Sequence, residues 1–346
     1  MIIVMKPNAP ESAIQSITQV ICSKGLQTHL SQGEQVTIIG VVGDKRKLNN
    51  QNIEVMPYVD KIVPITESYK LTNKKFHPQA SRIKVGNYEI GPNTLTIMAG
   101  PCAVETEEQL MEIARAVKKA GAQFVRGGAY KPRTSPYDFQ GYGEKALKYL
   151  KQASEATGLL TVSEVMDASD LEMMCEYIDV LQIGARNVQN FKLLQAVGRS
   201  NKPVILKRGL ASTIREFLLA AEHIMYQGNT NVILCERGIR SFDSAFTRNV
   251  MDIASIPVIK KYSHLPIIVD PSHGTGQRYL IEPMAKAGLV VGADGIMIEV
   301  HHDPENALSD GKQSLPIPMF KEVMRRLNQF NDRLHYEKNS LSANVD

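Results

Sequence analysis

The run Lys131-Pro132-Arg133-Thr134-Ser135-Pro136 sets Lys and Arg cations beside Thr and Ser hydroxyls, in a short loop stiffened by prolines. Such a loop suits phosphate: Arg offers a planar fork, Lys a mobile point charge. It directly follows a strand-like stretch, Phe124 to Tyr130. Upstream stands Gly100-Pro101-Cys102-Ala103-Val104-Glu105, and far downstream Asp270-Pro271-Ser272-His273-Gly274-Thr275-Gly276. Cys102, His273, Glu299 and Asp310 together offer a thiolate, an imidazole and carboxylates, a donor set for a borderline divalent ion such as Mn, Fe, Co, Zn or Cd. Spacing alone is a weak signal for it, because a lone Cys is more often a buried small apolar residue. His301 and His302 read as supporting or solvent-facing groups, with His301 the better rival ligand, and Asp303 competes with Asp310 as the carboxylate.

The elements that would position these residues begin near Thr94. Apolar runs recur at Leu95 to Ala99, Gln123 to Gly127, Leu160 to Val165, Val180 to Ile183, Val204 to Lys207, Val232 to Cys235, Ile267 to Val269 and Gly295 to Val300. Between them lie stretches with helical spacing, such as Leu110, Ile113, Ala114 and Val117. Continuous apolar strands alternating with amphipathic helices predict a parallel sheet. Eight such units predict a (β/α)8 TIM barrel, with a doubly wound sheet as the rival. Residues 82 to 91, around Gly86-Asn87, read as a β-hairpin that plugs the barrel bottom.

In a barrel the chemistry sits at the C-terminal ends of the strands. Cys102 follows the first strand. Arg126 ends the second, with Lys131 and Arg133 in its loop. Glu164 ends the third, Arg186 follows the fourth, and Lys207 and Arg208 the fifth. Glu236 and Arg237 follow the sixth, Asp270 and His273 the seventh. The eighth brings Glu299, His301, His302 and Asp303, with Asp310 in the last loop. Barrel-facing charge is costly unless partnered. Arg126, Lys131, Arg133, Arg186, Lys207 and Arg237 would form a cationic bowl for a ligand with several negative charges. Strand alternation turns Glu299 the same way as Met297 and His301.

Residues 1 to 65 differ in character. They read as strand (Ile2 to Met5), helix (Glu11 to Lys24), strand (Leu26 to His29), strand (Thr37 to Val42), short helix (Asn52 to Val59) and strand (Lys61 to Pro64), the βαββαβ order of a ferredoxin-like domain. A polar linker is expected over 66–81, the barrel over 82–335 and a fraying polar tail over 336–346.

Taken together, Gly-Pro-Cys-Ala-Val-Glu, Arg126-Gly-Gly-Ala-Tyr-Lys-Pro-Arg-Thr-Ser-Pro, Gln182-Ile-Gly-Ala-Arg186, Leu206-Lys-Arg-Gly209 and Cys235-Glu-Arg-Gly238, in this order, resemble the 3-deoxy-D-arabino-heptulosonate 7-phosphate (DAHP) synthases. The related octulosonate 8-phosphate synthases typically read Lys-Ala-Asn-Arg-Ser-Ser where this chain has Lys131 to Pro136, which favours the heptulosonate family. The resemblance implies condensation of phosphoenolpyruvate with erythrose 4-phosphate and release of phosphate. It implies one divalent metal held by Cys102, His273, Glu299 and Asp310. Arg126, Lys131, Arg186, Lys207 and Arg237 would hold phosphoenolpyruvate, with Lys131 also close to the aldehyde. Arg133, Thr134 and Ser135 would meet the erythrose phosphate. Catalysis is expected from Lys131, Cys102 and His273. The first domain resembles the ferredoxin-like regulatory domain of one branch, which implies feedback inhibition by tyrosine or phenylalanine in a homotetramer. Rival readings are an octulosonate or sialic acid synthase and a non-catalytic sensor of phosphorylated metabolites.

Composition agrees with an ordinary globular enzyme. The 346 residues are 43% hydrophobic, and a net charge of +4 asks for neither nucleic acid nor an anionic membrane. The apolar start Met1 to Met5 stops at Lys6-Pro7, too short for an export signal. Four cysteines, Cys22, Cys102, Cys175 and Cys235, have no clustered spacing, so free thiols in a cytoplasmic protein are expected.

Overall fold

The computed structural model describes residues 1–33, 37–43, 48, 50–63 and 68–343, without the side chains of 50, 51 and 335–343. The chain divides into two units, residues 1–80 with 261–264, and 81–260 with 265 onward.

In the first unit the order is β1 (Ile2–Met5), α1 (Glu11–Ser23), β2 (Gln27–Gln32), β3 (Thr37–Val42), α2 (Asn50–Glu54) and β4 (Val59–Val63). The strands pair antiparallel in the order β2-β3-β1-β4. Alternation turns Met1, Ile3, Met5, Ile39 and Val41 to one face, where they meet Ile14, Ile17 and Ile21 of α1. The second helix is shorter and earlier than its apolar spacing suggests, because Val59 belongs to β4. Pro64, at the end of the last expected strand, and Thr66 and Glu67 at the start of the expected linker lie outside the described residues.

The second unit opens with a hairpin, β5 (Ile83–Val85) and β6 (Tyr88–Ile90). Eight parallel strands follow: β7 (Thr96–Gly100), β8 (Phe124–Arg126), β9 (Leu160–Glu164), β10 (Val180–Ile183), β11 (Val204–Lys207), β12 (Val232–Glu236), β13 (Ile267–Val269) and β14 (Gly295–His301). Neighbours in sequence pair throughout, and β14 pairs with both β13 and β7, which closes the barrel and rules out the doubly wound sheet. The helices are α3 (Glu107–Lys119), α4 (Glu144–Thr157), α5 (Leu171–Tyr177), α6 (Phe191–Arg199), α7 (Ile214–Met225), α8 (Ser255–Tyr262), α9 (Pro271–Thr275) and α10 (Arg278–Val290). A two-residue strand β15 (Leu315–Pro316) leads into α11 (Ile317–Ala343). That helix extends well into the segment read as a polar tail.

The barrel interior explains where chemistry is possible. Met98, Phe124, Val162, Val180, Ile205, Ile233, Ile268 and Met297 form one buried cluster, sealed by Ile83, Val85 and Ile90 of the hairpin. Two residues further along the strands, on the same face, the type changes to Arg126, Glu164, Gln182, Lys207, Asp270 and Glu299. An apolar layer therefore carries an ionic layer directly above it.

Candidate active site

The ionic layer is held by mutual pairing. Arg126 Nη1 donates to Glu299 Oε1 at 2.9 Å and to the Pro101 carbonyl at 3.0 Å. Lys207 Nζ lies 2.5 Å from Asp270 Oδ2, and both side chains are buried. Gln182 Nε2 donates to Glu164 Oε2 at 3.1 Å. This last contact requires Gly184, since a Cβ there would stand 2.0 Å from Glu164 Oε1. Unpaired buried charge costs several kcal/mol, so such pairs are what allow strand ends to stay charged.

Cys102, His273, Glu299 and Asp310 come together, with one candidate ligand atom from each lying within 4.8 Å of the others. Cys102 Sγ is 3.2 Å from Asp310 Oδ2, and His273 Nε2 is 3.1 Å from Glu299 Oε1 and 3.9 Å from Asp310 Oδ2. Asp270 caps α9 through the His273 N–H and also lies 2.7 Å from His273 Nδ1. A proton on Nδ1 donated to Asp270 leaves Nε2 as the coordinating nitrogen. Asp310 takes φ +54°, a left-handed conformation that Asp tolerates better than most residues.

The electrostatics follow from this crowding. Burial opposes a charge on Glu299, but His273, Arg126 and Lys131 outweigh it and hold its carboxyl well below the usual range. Asp270 is likewise held down, against its burial, by His273 and Lys207. Burial disfavours a charged His273, yet Asp270 and Glu299 raise it to about 10. A divalent ion would take over the role of that proton among the same acids. The donor set of sulfur, nitrogen and oxygen fits such an ion.

Lys131 reaches back across the loop, its Nζ 2.9 Å from Cys102 Sγ and 3.0 Å from the Cys102 carbonyl. Gly128 makes room, because a Cβ there would meet Lys131 Cδ at 2.9 Å. Above this group opens a cleft lined by cationic Lys131, Arg133, Arg186, Lys207, Arg237 and Arg248, with Thr134 and Glu164. The Arg237 guanidinium is buried, and its Nη1 has no hydrogen-bond partner among the described residues. Its pKa is lowered, chiefly by burial. A donor of this kind on the cavity wall calls for an anion.

Several expected residues sit elsewhere. Arg126 is buried and tied to Glu299, with its Nε unpartnered among the described residues. Ser135 stays off the wall, its Oγ accepting the Tyr137 N–H at 3.2 Å. His301 Nε2 lies 2.9 Å from Gln109 Nε2 and 3.3 Å from Glu105, and Asp303 accepts from Asn306, so neither is in the ligand group. Arg208 turns away to Glu236 and Asp252. Cys235 faces the apolar layer, and burial pushes its thiol far above the ordinary value. The sequence reading missed Arg248 and Gln313. Both lie on long connections with no strand phase to mark them, although Gln313 stands only three residues past Asp310.

Comparison with known proteins sharpens this picture. Residues 69–335 match the model of the DAHP synthetase I family, and residues 1–67 that of the DAHP synthase ferredoxin-like domain. The phospho-2-dehydro-3-deoxyheptonate aldolase of Thermotoga maritima is 49% identical over 98% of this chain and its own whole length. A 2-dehydro-3-deoxyphosphooctonate aldolase of Syntrophotalea carbinolica is 33% identical over 71% of this chain and 94% of its own. The crystal structure of the Thermotoga maritima DAHP synthase superposes with a TM-score of 0.77 at 48% identity, covering 96% of this chain and 97% of that one. A truncated form of the same synthase gives 0.72 over 77% of this chain and 98% of that one. The ferredoxin-like order, the closed barrel and these matches agree: the chain belongs to the DAHP synthetase I family, in the form that carries an N-terminal ferredoxin-like domain.

Proposed function

We propose that the barrel condenses phosphoenolpyruvate with D-erythrose 4-phosphate to give DAHP and inorganic phosphate, the transferase reaction that opens aromatic amino acid biosynthesis. The observation that carries this reading is the Cys102, His273, Glu299 and Asp310 group at the floor of a cation-lined cavity. One substrate brings a phosphate and a carboxylate, the other a phosphate and an aldehyde, and the cavity offers separate cations for each.

Lys207, Arg186 and Arg237 take phosphoenolpyruvate, and Arg237 Nη1, unpartnered among the described residues, donates to it without breaking an existing bond there. Arg133 and Thr134, on the proline-stiffened loop, meet the erythrose phosphate. Ser135, whose Oγ accepts the Tyr137 N–H, meets the erythrose phosphate beside them, and Arg126, paired with Glu299, offers phosphoenolpyruvate a buried Nε that is unpartnered among the described residues. Cys102, His273, Glu299 and Asp310 would hold a divalent ion, whose Lewis acidity polarises the aldehyde carbonyl. Lys131 stands between the ligand group and the cavity, placed to give a proton to the oxygen that gains charge as C3 of the enolpyruvate adds to the aldehyde. Water then attacks C2, and phosphate leaves with C–O cleavage. The cations hold two repelling anions together, so much of the barrier falls through positioning and charge stabilisation. A thiol ligand suits a reducing compartment, in keeping with work in the cytoplasm. Among the described residues no helix is long and apolar enough to cross a membrane.

Residues 1–65 act, in this reading, as a regulatory module that binds tyrosine or phenylalanine and inhibits the barrel within a homotetramer. The match to the ferredoxin-like domain model and a core of its own support it. Replacement of the sulfur tests the catalytic site. Cys102→Ser is expected to lose bound metal and sugar-dependent phosphate release together, while phosphoenolpyruvate still binds by calorimetry. Full activity in a metal-poor Cys102→Ser protein would overturn the proposed role of the thiolate.

A further inference from the structure

Gln313 is 3% exposed, and both heavy atoms of its amide are hydrogen-bonded. Its Nε2 donates to Glu299 Oε2 at 2.5 Å, and its Oε1 accepts from Arg248 Nη1 at 3.1 Å. The same Arg248 nitrogen donates to Asp310 Oδ1 at 3.2 Å. The chain of contacts thus runs Glu299, Gln313, Arg248, Asp310. In each acid the other oxygen faces the ligand group. Glu299 Oε1 lies 3.1 Å from His273 Nε2, and Asp310 Oδ2 lies 3.2 Å from Cys102 Sγ.

We propose that Gln313 and Arg248 form a strut that holds Glu299 and Asp310 as one-oxygen ligands and thereby sets both the affinity and the choice of divalent ion. The proposal rests on the metal-site reading given above. A carboxylate free to swing can offer both oxygens, which favours large ions that seek many oxygen ligands, such as Ca²⁺. With the outer oxygens committed, the site offers four single atoms, sulfur, nitrogen and two oxygens, which suits a borderline ion of low coordination number. Glu299 is fully buried, so water cannot replace the lost donor if Gln313 is removed. The amide adds orientation without adding charge, whereas Arg248 adds a cation on the partly exposed Asp310. Both are positioning residues for the ligands.

Co²⁺ reports directly on such a site, through a thiolate charge-transfer band and ligand-field bands sensitive to coordination number. The full-length protein would be stripped with chelator and titrated with Co²⁺ and, separately, Ca²⁺. Gln313→Met, similar in length but without hydrogen bonds, is expected to weaken Co²⁺ binding by about 10- to 100-fold and to shift the ligand-field bands. The Co²⁺ over Ca²⁺ preference should narrow. Arg248→Met changes a side chain that is 39% exposed and so puts the fold at little risk. It should weaken Co²⁺ by a smaller factor, and the double variant should lose less than the sum of the two. Co²⁺ affinities within about twofold of wild type, with unchanged bands in both variants, would overturn the strut. A wild-type protein that shows no thiolate band would instead overturn the metal-site reading on which the strut rests.

Discussion

For single residues, the partner a side chain finds matters more than its type. Arg126 and Arg237 are both buried arginines near the barrel mouth. Arg126 pairs with Glu299 through Nη1 and keeps only its Nε unpartnered, while Arg237, on the cavity wall, keeps Nη1 unpartnered among the described residues. The sequence marked both as anion holders. It could not separate them, because strand phase gives the face a side chain points to and not the partner that reaches it first. In the proposed reaction, the phosphate-holding role would therefore fall most heavily on Arg237. A hydrogen bond to a charged group contributes about 1.5–3 kcal/mol, and a lysine cannot reproduce the fork. Arg237→Lys is expected to raise KM for phosphoenolpyruvate by about tenfold or more and to leave KM for the erythrose sugar nearly unchanged. Steady-state kinetics with each substrate varied in turn check this, and equal rises in both KM values would contradict it.

At the scale of elements, period-two alternation made most of the site legible. An apolar layer at Phe124, Val162, Ile205, Ile268 and Met297 is followed on the same face by Arg126, Glu164, Lys207, Asp270 and Glu299. That pattern is printed in the sequence once the strands are found. What escaped it lies on segments without a period. Arg248 and Gln313 sit on long connections, and the short α9 that presents His273 was not anticipated, although Asp270-Pro271 is a capping residue followed by proline at the first helical position. The fraying tail expected from Tyr336 likewise overlooked how far α11 continues, through Ala343.

The connection after α8 carries a titratable element of its own. His264 is buried, lies 2.7 Å from the Leu71 carbonyl through its Nε2 and stacks on His77. Burial, then His77, His29 and Lys74, push its pKa down to about 4 from 6.5, against the pull of the Leu71 carbonyl. The folded state therefore prefers the neutral ring, while an unfolded chain takes the proton below pH 6.5. Stability from this residue is complete above 6.5 and is lost as pH falls toward 4, by up to about 3 kcal/mol. Thermal unfolding of wild type should fall more steeply over this window than that of His264→Gln. Parallel curves would contradict it.

At the scale of the whole molecule, two units with separate cores share one chain. The barrel unit contains every member of the ligand group and every residue lining the cavity described above. Catalysis should then be separable from regulation. Deletion of residues 1–65 is expected to keep DAHP formation and to abolish inhibition by tyrosine or phenylalanine. Inhibition that survives the deletion would move the effector site into the barrel.

Phosphate release from phosphoenolpyruvate, measured with erythrose 4-phosphate, with arabinose 5-phosphate and with neither, before and after chelation, decides the reaction. Release is expected to require the erythrose sugar, to disappear with chelator and to return with added divalent metal. Release driven by arabinose 5-phosphate would contradict the proposed reaction in favour of an octulosonate synthase, and no release from folded, metal-loaded protein would contradict it in favour of a sensor.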